Sequence, residues 1–248
     1  MAGADCDPCS WYSVSCDAND RVTCIDLDGS VGCNSAGIGT GNGLTGVIPT
    51  EISGLTELSD LHLEGNNTLG GALPAGFYDL TNLKVAELKI TGLVGPLSPS
   101  ISNLQNLETL SLGSGPYGGP IPSELGDITS LTNLNLFFGQ FSGPIPASLG
   151  GLTNLTELRL NDNMLEGCFP SELSALCSIG TVVMSNNVGL PGGGDFAAFC
   201  ASGTGDCSDA VPDCADVVSP VDGEIDVPLT VNVSWTCLLY TSPSPRDS

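Results

Sequence analysis

A template of about two dozen residues recurs six times in this chain and constrains the fold more than any other feature. Each copy carries a proline at an equivalent place, and successive prolines are 25, 25, 23, 24 and 24 residues apart. The six prolines are Pro49, Pro74, Pro99, Pro122, Pro146 and Pro170. A nearly constant period of this length predicts a solenoid, in which each copy forms one coil and neighbouring coils bury each other's apolar side chains.

Each copy also contains a short stretch in which apolar and polar residues alternate. The apolar pairs are Leu61/Leu63, Ala86/Leu88, Leu110/Leu112, Leu134/Leu136, Leu158/Leu160 and Val182/Met184. This period of two predicts a strand with one buried face and one solvent-facing face. Elsewhere in the copy, the proline lacks an N–H donor and favours an extended or 3₁₀ segment, and an L-x-x-L spacing places leucines on one side of a short helical turn.

The apolar side chains of one copy cannot be buried within that copy. In the fourth copy the side chains predicted to point inward are Ile121, Leu125, Ile128, Leu131, Leu134, Leu136 and Phe141. Burying each contributes roughly 1.5–3 kcal/mol, so a coil gains about 10–20 kcal/mol gross, most of which the ordering of the chain cancels. A stable fold therefore requires stacked coils that share these side chains.

The copies resemble the plant-type leucine-rich-repeat family. The fifth copy begins with Gly143-Pro-Ile145-Pro and continues to Leu158-Arg-Leu160-Asn-Asp-Asn163, which is similar to the family's L-x-G-x-I-P template and its strand. The resemblance covers residues 21–190. It implies an α/β solenoid, a right-handed leucine-rich-repeat superhelix with a parallel β-sheet on the concave face and with 3₁₀ or short helical segments and loops on the convex face.

The copies depart from the family template in two places. The family usually has an asparagine after the strand, whose side chain bonds backbone groups along a ladder; Asn66, Asn163 and Asn187 match this position. Three other copies have Thr91, Gly115 and Gly139 instead, which predicts a weaker ladder in the middle of the solenoid. Residues 32–43 are long for a connection between coils and are interpreted as an insertion after the first strand, residues 22–27.

The cysteine-containing ends resemble the caps of the family. The segment Asp7-Pro-Cys9-Ser-Trp11-Tyr-Ser-Val14-Ser-Cys16 is similar to D-P-C-x-W-x-G-V-x-C, with Ser13 in place of the glycine. The resemblance implies a Cys9–Cys16 disulfide, with Trp11 and Val14 covering the first coil. Eleven cysteines and one histidine favour disulfides over a metal site. Two further disulfides are predicted, Cys24–Cys33 and Cys168–Cys177, and four cysteines are left unassigned: Cys6, Cys200, Cys207 and Cys214.

These features divide the chain into five segments. Residues 1–20 form a truncated N-terminal cap, residues 21–190 hold the first strand and six repeats, and residues 191–216 form a cysteine-rich C-terminal cap. Residues 217–236 look like the opening strands of a truncated immunoglobulin- or fibronectin-like β-domain. Residues 237–248 resemble a translated sequencing adapter. We therefore expect the natural chain to continue beyond Thr236, and we expect its true start, with a signal peptide, to precede Met1.

Charge and composition exclude several classes of partner. Five Lys and Arg residues oppose 28 Asp and Glu residues, and the formal net charge is −23. Such a surface repels nucleic acids and anionic membrane surfaces. No apolar run is long enough to span a bilayer. The sequence contains no recognisable catalytic constellation or phosphate-binding loop, so no cofactor, no metal and no enzymatic activity are predicted.

The solvent-facing strand positions define the predicted binding surface. The candidates are Asp60, His62, Glu64, Glu87, Lys89, Ser111, Asn133, Asn135, Phe137, Glu157, Arg159 and Asn161. Among them Phe137 is an aromatic residue flanked by polar groups, a type of residue that often contributes strongly to binding. An enzymatic alternative would use a carboxylate pair as glycosidases do, but the shallow face is not expected to bury an acid or to raise its pKa.

We therefore predict a recognition module that binds a protein or glycan ligand through the concave face and is secreted or part of an ectodomain. The first alternative is a secreted inhibitor of cell-wall hydrolases, by analogy with the polygalacturonase inhibitors of this repeat type. The second is a surface- or ice-adsorbing structural protein, for which Thr109 and Thr181 are too isolated on the strands. Glycosylation triplets begin at Asn66, Asn154 and Asn232 and support a secretory route.

Overall fold

The computed structural model describes residues 8–10, 13–29 and 41–202. The chain divides into two compact units, 1–210 and 211–248, and every described residue belongs to the first unit. Several predictions lie outside the described residues. These are the packing of Trp11, the cysteines Cys6, Cys33, Cys207 and Cys214, glycosylation at Asn232, and the assignments of residues 217–236 and 237–248.

The alternating stretches form strands of two to five residues. In chain order the described strands are β1 (Val14–Cys16), β2 (Val22–Asp26), β3 (Gly46–Val47), β4 (Asp60–His62), β5 (Leu69–Gly71), β6 (Val85–Glu87), β7 (Gly92–Leu93), β8 (Thr109–Ser111), β9 (Asn133–Asn135), β10 (Ser142–Gly143), β11 (Glu157–Arg159), β12 (Met164–Leu165) and β13 (Thr181–Val183). Alternation sets their exposure: in β4, for example, Leu61 is buried between the half-buried Asp60 and His62.

One strand from each coil joins an eight-stranded sheet of order β1-β2-β4-β6-β8-β9-β11-β13. Strand β1 pairs antiparallel with β2, and the following strands pair in parallel. The register advances by one coil at each step, so that the first apolar members of the predicted pairs lie side by side, in the order Leu61, Ala86, Leu110, Leu134, Leu158 and Val182. Two smaller groups of strands, β3-β5-β7 and β10-β12, also pair in parallel.

Short 3₁₀ helices follow the repeated prolines. They span Thr50–Gly54, Ala75–Asp79, Pro99–Asn103, Ser123–Asp127, Ala147–Gly151 and Ser171–Leu176. Pro49 shows the local cause: its backbone is extended (φ −71°, ψ 150°), and the helix then ends at Leu55, whose N–H donates to the carbonyl of Ile52. Consecutive helices pack against each other and place their apolar residues in the same core as the strands. This arrangement confirms the predicted leucine-rich-repeat solenoid.

The asparagine ladder forms where the sequence provides asparagine. The fully buried Asn66 donates from Nδ2 to the carbonyls of Leu27 and Leu63, and its Oδ1 accepts from the N–H groups of Asn42 and Leu44. Asn163 and Asn187 bond neighbouring coils in the same manner. Each side chain thereby satisfies backbone groups that would otherwise be buried without partners.

A stacked aromatic pair replaces the ladder in the middle of the solenoid. The rings of Tyr117 and Phe141 are nearly parallel, with centroids 6.1 Å apart. They occupy the space of the missing side chains, because a Cβ on Gly115 would lie 2.6 Å from the Tyr117 ring and a Cβ on Gly139 would lie 2.4 Å from the Phe141 ring. The main sheet keeps an unbroken register here, and apolar packing takes the place of the absent asparagines.

The N-terminal cap contains the predicted disulfide. Cys9 and Cys16 are bonded, and β1 covers the edge of β2. Val14 packs against the core, in keeping with its predicted role. Ser13, which replaces the family's glycine, has a φ of +69°, a conformation that costs a residue with a Cβ roughly 1–2 kcal/mol. Cys24 is also disulfide-bonded, but its predicted partner Cys33 is not among the described residues.

The predicted Cys168–Cys177 disulfide is wrong. Cys177 is bonded to Cys200, which lies in the helix α1 (Phe196–Ser202). The cause is the packing of this helix on the last coil, where Phe196 and Phe199 contact Phe169 and bring Cys200 to Cys177. Cys168 is disulfide-bonded as well.

Candidate binding surface

Most of the predicted binding residues lie together on the solvent-facing side of the main sheet. We call this side the concave face and define it by two rows of side chains, each with one residue per coil. The first row lies within the strands and contains Asp26, His62, Glu87, Ser111, Asn135, Arg159 and Val183. The second row lies two residues further along and contains Asp28, Glu64, Lys89, Gly113, Phe137, Asn161 and Ser185. Backbone hydrogen bonds such as Gly65 N–H to Lys89 O (3.1 Å) keep the second row in register.

Two residues predicted to be exposed are buried. Glu64 is 2% exposed and Ser111 is 2% exposed. Ser111 is short and lies between the longer side chains of Glu87 and Asn135 on the neighbouring strands, which explains its burial. The other candidates are half-buried, as expected for side chains that stand close together on a pleated sheet.

Acidic side chains converge at the N-terminal end of the concave face. Asp26 and Asp28 are buried, and Asp28 N–H donates to Asp26 Oδ1 at 3.4 Å. Burial raises the pKa of Asp26, and a side-chain hydrogen bond with Asp28 raises it further. Neither residue is among the predicted binding residues, because the first strand was interpreted only as the start of the solenoid, although the alternation of apolar residues continues through Leu27.

Glu64 is the unusual member of this acidic group. Its Oε2 is buried without a hydrogen-bond partner. Burial raises the pKa of Glu64 to about 7, with a smaller contribution from the negative charge of Glu87. The expectation that this face would bury no acid and raise no pKa is therefore wrong. The sequence could not show this, because the burial of a side chain depends on what the folded chain packs around it.

The single lysine of this region is already paired. Lys89 Nζ lies 3.0 Å from Glu87 Oε2, and each of these side chains is 20% exposed. Lys89 is the neighbour of Glu64 in the second row, yet its ammonium group bonds Glu87 and leaves Glu64 Oε2 without a donor. Four carboxyl groups (Asp26, Asp28, Glu64 and Glu87) therefore lie near one ammonium group, that of Lys89, and beside the imidazole of His62.

The centre of the concave face carries a polar chain and an aromatic pair. Asn133 donates to Glu157 (2.6 Å), and Glu157 also pairs with Arg159. Beside them, the ring of Phe137 lies over Gly113, where a Cβ would come within 2.2 Å of the ring. Phe137 meets Phe138 edge to face, with ring centroids 5.7 Å apart.

Phe138, which the sequence analysis did not select, is the more exposed aromatic residue. It is 54% exposed and has a φ of +50°. The equivalent positions in neighbouring coils are also left-handed and are held by Gly65, Ile90, Ser114, Asp162 and Asn186. A glycine, asparagine or aspartate suits this backbone, whereas a phenylalanine strains it and exposes an apolar ring.

The two described glycosylation candidates differ in accessibility. Asn66 is fully buried in the ladder, and both of its amide hydrogens are used, so attachment of a glycan is incompatible with this fold and the prediction for Asn66 is wrong. Asn154 is exposed and donates one hydrogen bond to the Thr129 carbonyl.

Among the described residues, no three His, Cys, Asp or Glu side chains are arranged to hold a metal ion. Within the same residues, no helix has the length and apolar character to cross a membrane.

Stacked coils with a parallel sheet, an asparagine ladder and a disulfide-bonded cap define a leucine-rich-repeat solenoid. The Leucine Rich Repeat family model matches residues 154–176. The chain is 33% identical over 93 residues to Polygalacturonase inhibitor 1 of Oryza sativa subsp. japonica, covering 38% of this chain and 24% of the inhibitor. It is 30% identical over 97 residues to the "Probable LRR receptor-like serine/threonine-protein kinase RPK1" of Arabidopsis thaliana, covering 35% of this chain and 18% of the kinase.

Solved structures of plant proteins share the fold. The Arabidopsis receptor kinase HAESA, solved with the peptide hormone IDA and a co-receptor, aligns with a TM-score of 0.63 and 34% identity over 75% of this chain and 30% of its own. A plant ice-binding protein aligns with a TM-score of 0.60 and 28% identity over 69% of this chain and 52% of its own. The pollen receptor kinase 3 structure aligns with a TM-score of 0.62 and 26% identity over 75% and 84% of the two chains.

The repeat, the fold and these similarities together support a plant-type leucine-rich-repeat protein. The chain spans about a quarter or less of the curated relatives that it matches. The proteins it resembles include receptors, an inhibitor and an ice-binding protein.

Proposed function

We propose that this protein is an extracellular recognition module that binds a peptide or protein segment on its concave face, without catalysing a reaction. Its disulfides fit an oxidising compartment. The structural neighbour HAESA was solved with a peptide hormone, which supports a peptide as the class of ligand. Binding to a cell-wall hydrolase, as an inhibitor, is one form of the same function and is supported by the similarity to a polygalacturonase inhibitor.

The observation that carries this proposal is the Phe137–Phe138 pair. Phe138 combines a left-handed backbone with an exposed ring, and both features lower stability compared with asparagine or glycine at this position. The left-handed backbone recurs in the neighbouring coils, so the exposed aromatic ring is what distinguishes Phe138. Exposed aromatic residues are also typical of the centre of a binding interface, and the ring of Phe138 packs edge to face on Phe137.

The test separates binding from stability. A random dodecapeptide library is displayed on phage and selected on the wild-type protein, and the affinities of recovered peptides are measured by calorimetry. We expect Phe138→Asn to stabilise the fold by about 1 kcal/mol and to weaken the recovered peptides roughly tenfold, because the strain and the contact are both removed. Met164→Ala is the control, since Met164 is 56% exposed but lies in β12, outside the main sheet. Equal binding by Phe138→Asn and wild type would contradict the proposal.

A second candidate function, adsorption to ice or another regular surface, is favoured by a different observation. An exposed threonine recurs once per coil next to the 3₁₀ helices, in a row interrupted once by a glutamine. The row contains Thr56, Thr81, Gln105, Thr129 and Thr153. The row lies outside the strands, so the residues considered for surface adsorption from the sequence did not include it. The structural similarity to a plant ice-binding protein adds support.

Thermal hysteresis of the purified protein tests this candidate. If the row adsorbs to ice, the protein should show measurable thermal hysteresis. Thr129→Arg, at the fourth of the five positions, should abolish the hysteresis, whereas Thr109→Arg on β8 should leave it unchanged. Hysteresis that is absent, or that survives Thr129→Arg, would contradict it. Loss on Thr109→Arg alone would place adsorption on the concave face instead.

A further inference from the structure

Three adjacent strands place four carboxyl groups at one end of the concave face. Asp26 and Asp28 come from β2 and the residues after it, Glu64 follows β4, and Glu87 lies in β6. The pairing of β2 with β4 and of β4 with β6 puts them on neighbouring coils. We call these four residues the acidic cluster.

Within the acidic cluster, one carboxylate oxygen of Glu64 lacks a hydrogen-bond donor. Glu64 is 2% exposed, and its Oε2 atom is buried without a hydrogen-bond partner. Lys89 is the adjacent residue in the same row, but its ammonium group does not bond Glu64. That ammonium is held by Glu87 at 3.0 Å. A buried carboxylate oxygen without a donor is costly, and native proteins normally satisfy such atoms. The missing partner is therefore a donor, and the surrounding carboxyl groups favour one with a positive charge.

We propose that the acidic cluster binds the guanidinium or ammonium group of a basic side chain in a peptide ligand. The inference rests on the proposed function and specifies the ligand. A guanidinium group has five N–H donors in a planar fork and can satisfy Glu64 and a second carboxylate together. A metal ion is a poor alternative, because no three acidic or imidazole groups among the described residues have suitable geometry.

The position of Phe137 predicts a spacing in the ligand. Glu64 and Phe137 belong to the same row, three strand steps apart, from β4 through β6 and β8 to β9. At roughly 4.8 Å per step the separation is about 14 Å, which an extended peptide spans in about four residues. A bound peptide should therefore carry Arg or Lys about four residues from an apolar side chain that contacts Phe137 and Phe138.

Binding of a cation should strengthen as the pH rises. Burial raises the pKa of Glu64 to about 7, so Glu64 is largely protonated in mildly acidic solution and must lose a proton to accept the ligand's charge. The other ionisable groups facing it are Asp28, Glu87 and Lys89, with Asp26 and His62 beside them on β2 and β4. A cation therefore binds with release of a proton, and its affinity should rise between about pH 5 and pH 8.

The test uses the peptides selected on the wild-type protein and two matched changes. In the protein, Glu64→Gln removes the carboxylate, while Glu51→Gln on an exposed 3₁₀ helix removes the same charge elsewhere. In the peptide, citrulline replaces arginine without the charge. We expect Glu64→Gln and citrulline each to weaken binding roughly tenfold, the two changes together to weaken it little further, and Glu51→Gln to have little effect.

Three outcomes are distinguishable. The inference would be overturned if the selected peptides lacked a basic residue. It would also be overturned if they bound Glu64→Gln as tightly as wild type while still depending on Phe138. In both cases the proposed function would stand. Peptides whose binding does not depend on Phe138 would contradict the proposed function. As a direct probe, N-acetyl-arginine amide should shift the amide resonances of Gly65 and Lys89 in the wild-type protein but not in Glu64→Gln, and unchanged resonances in both would also overturn the inference.

Discussion

Glu64→Gln should stabilise the solenoid in a pH-dependent manner. Glu64 is buried with an unpartnered Oε2, and its pKa rises from 4.5 to about 7 on folding. The folded state thus binds the Glu64 proton more tightly than the unfolded state does. The free energy of unfolding must therefore fall as the pH rises from about 4.5 to about 7, and the loss persists above that range.

The size of the effect follows from the same pKa change. Once both states are ionised, the buried charge of Glu64 lowers the free energy of unfolding by about 3 kcal/mol, at the rate of about 1.4 kcal/mol for each pKa unit. Glutamine has nearly the same shape and cannot ionise. We expect Glu64→Gln to be more stable than wild type by about 3 kcal/mol at about pH 8, and this advantage to vanish near pH 4.

Urea denaturation followed by circular dichroism measures this difference at several pH values between about 4 and 8. Glu51→Gln serves as the control for a lost surface charge, and a carbon-13 titration of the Glu64 carboxyl by NMR measures its pKa directly. A stability difference between Glu64→Gln and wild type that stays constant across this range would refute the reasoning, as would a Glu64 pKa close to 4.5.

Three further predictions concern the fold. Ser13→Gly should stabilise the N-terminal cap by about 1 kcal/mol and raise the melting temperature, because Ser13 has a φ of +69° and glycine adopts it without strain; a lowered melting temperature would contradict this. Asn163→Ala should cost about 3 kcal/mol in urea denaturation, since it leaves several buried backbone groups unpaired. Gly113→Ala should displace the Phe137 ring, cost about 1–3 kcal/mol and weaken peptide binding, whereas Ser114→Ala should leave peptide binding unchanged.

The amino-acid sequence is sufficient to predict the solenoid. A constant period, alternating apolar pairs and repeated prolines each define a local element, and every copy has the same set, so the coils can bury their leucines only by stacking. The strands around Leu61 and Leu158 and the 3₁₀ helices after Pro49 and Pro146 follow directly. The Cys9–Cys16 disulfide was also predictable, because the residues around it resemble the family's cap.

Features that depend on contacts between distant parts of the chain could not be predicted and are seen only in the fold. Cys177 pairs with Cys200 because a terminal helix packs on the last coil, and no spacing in the sequence encodes that contact. The stacked rings of Tyr117 and Phe141 fill a ladder that the sequence showed only as missing asparagines. Glu64 occupies a position that alternation assigns to solvent, yet it is buried in the folded chain. Periodicity fixes which way a side chain points along one coil, whereas burial and pKa depend on what adjacent coils place around it.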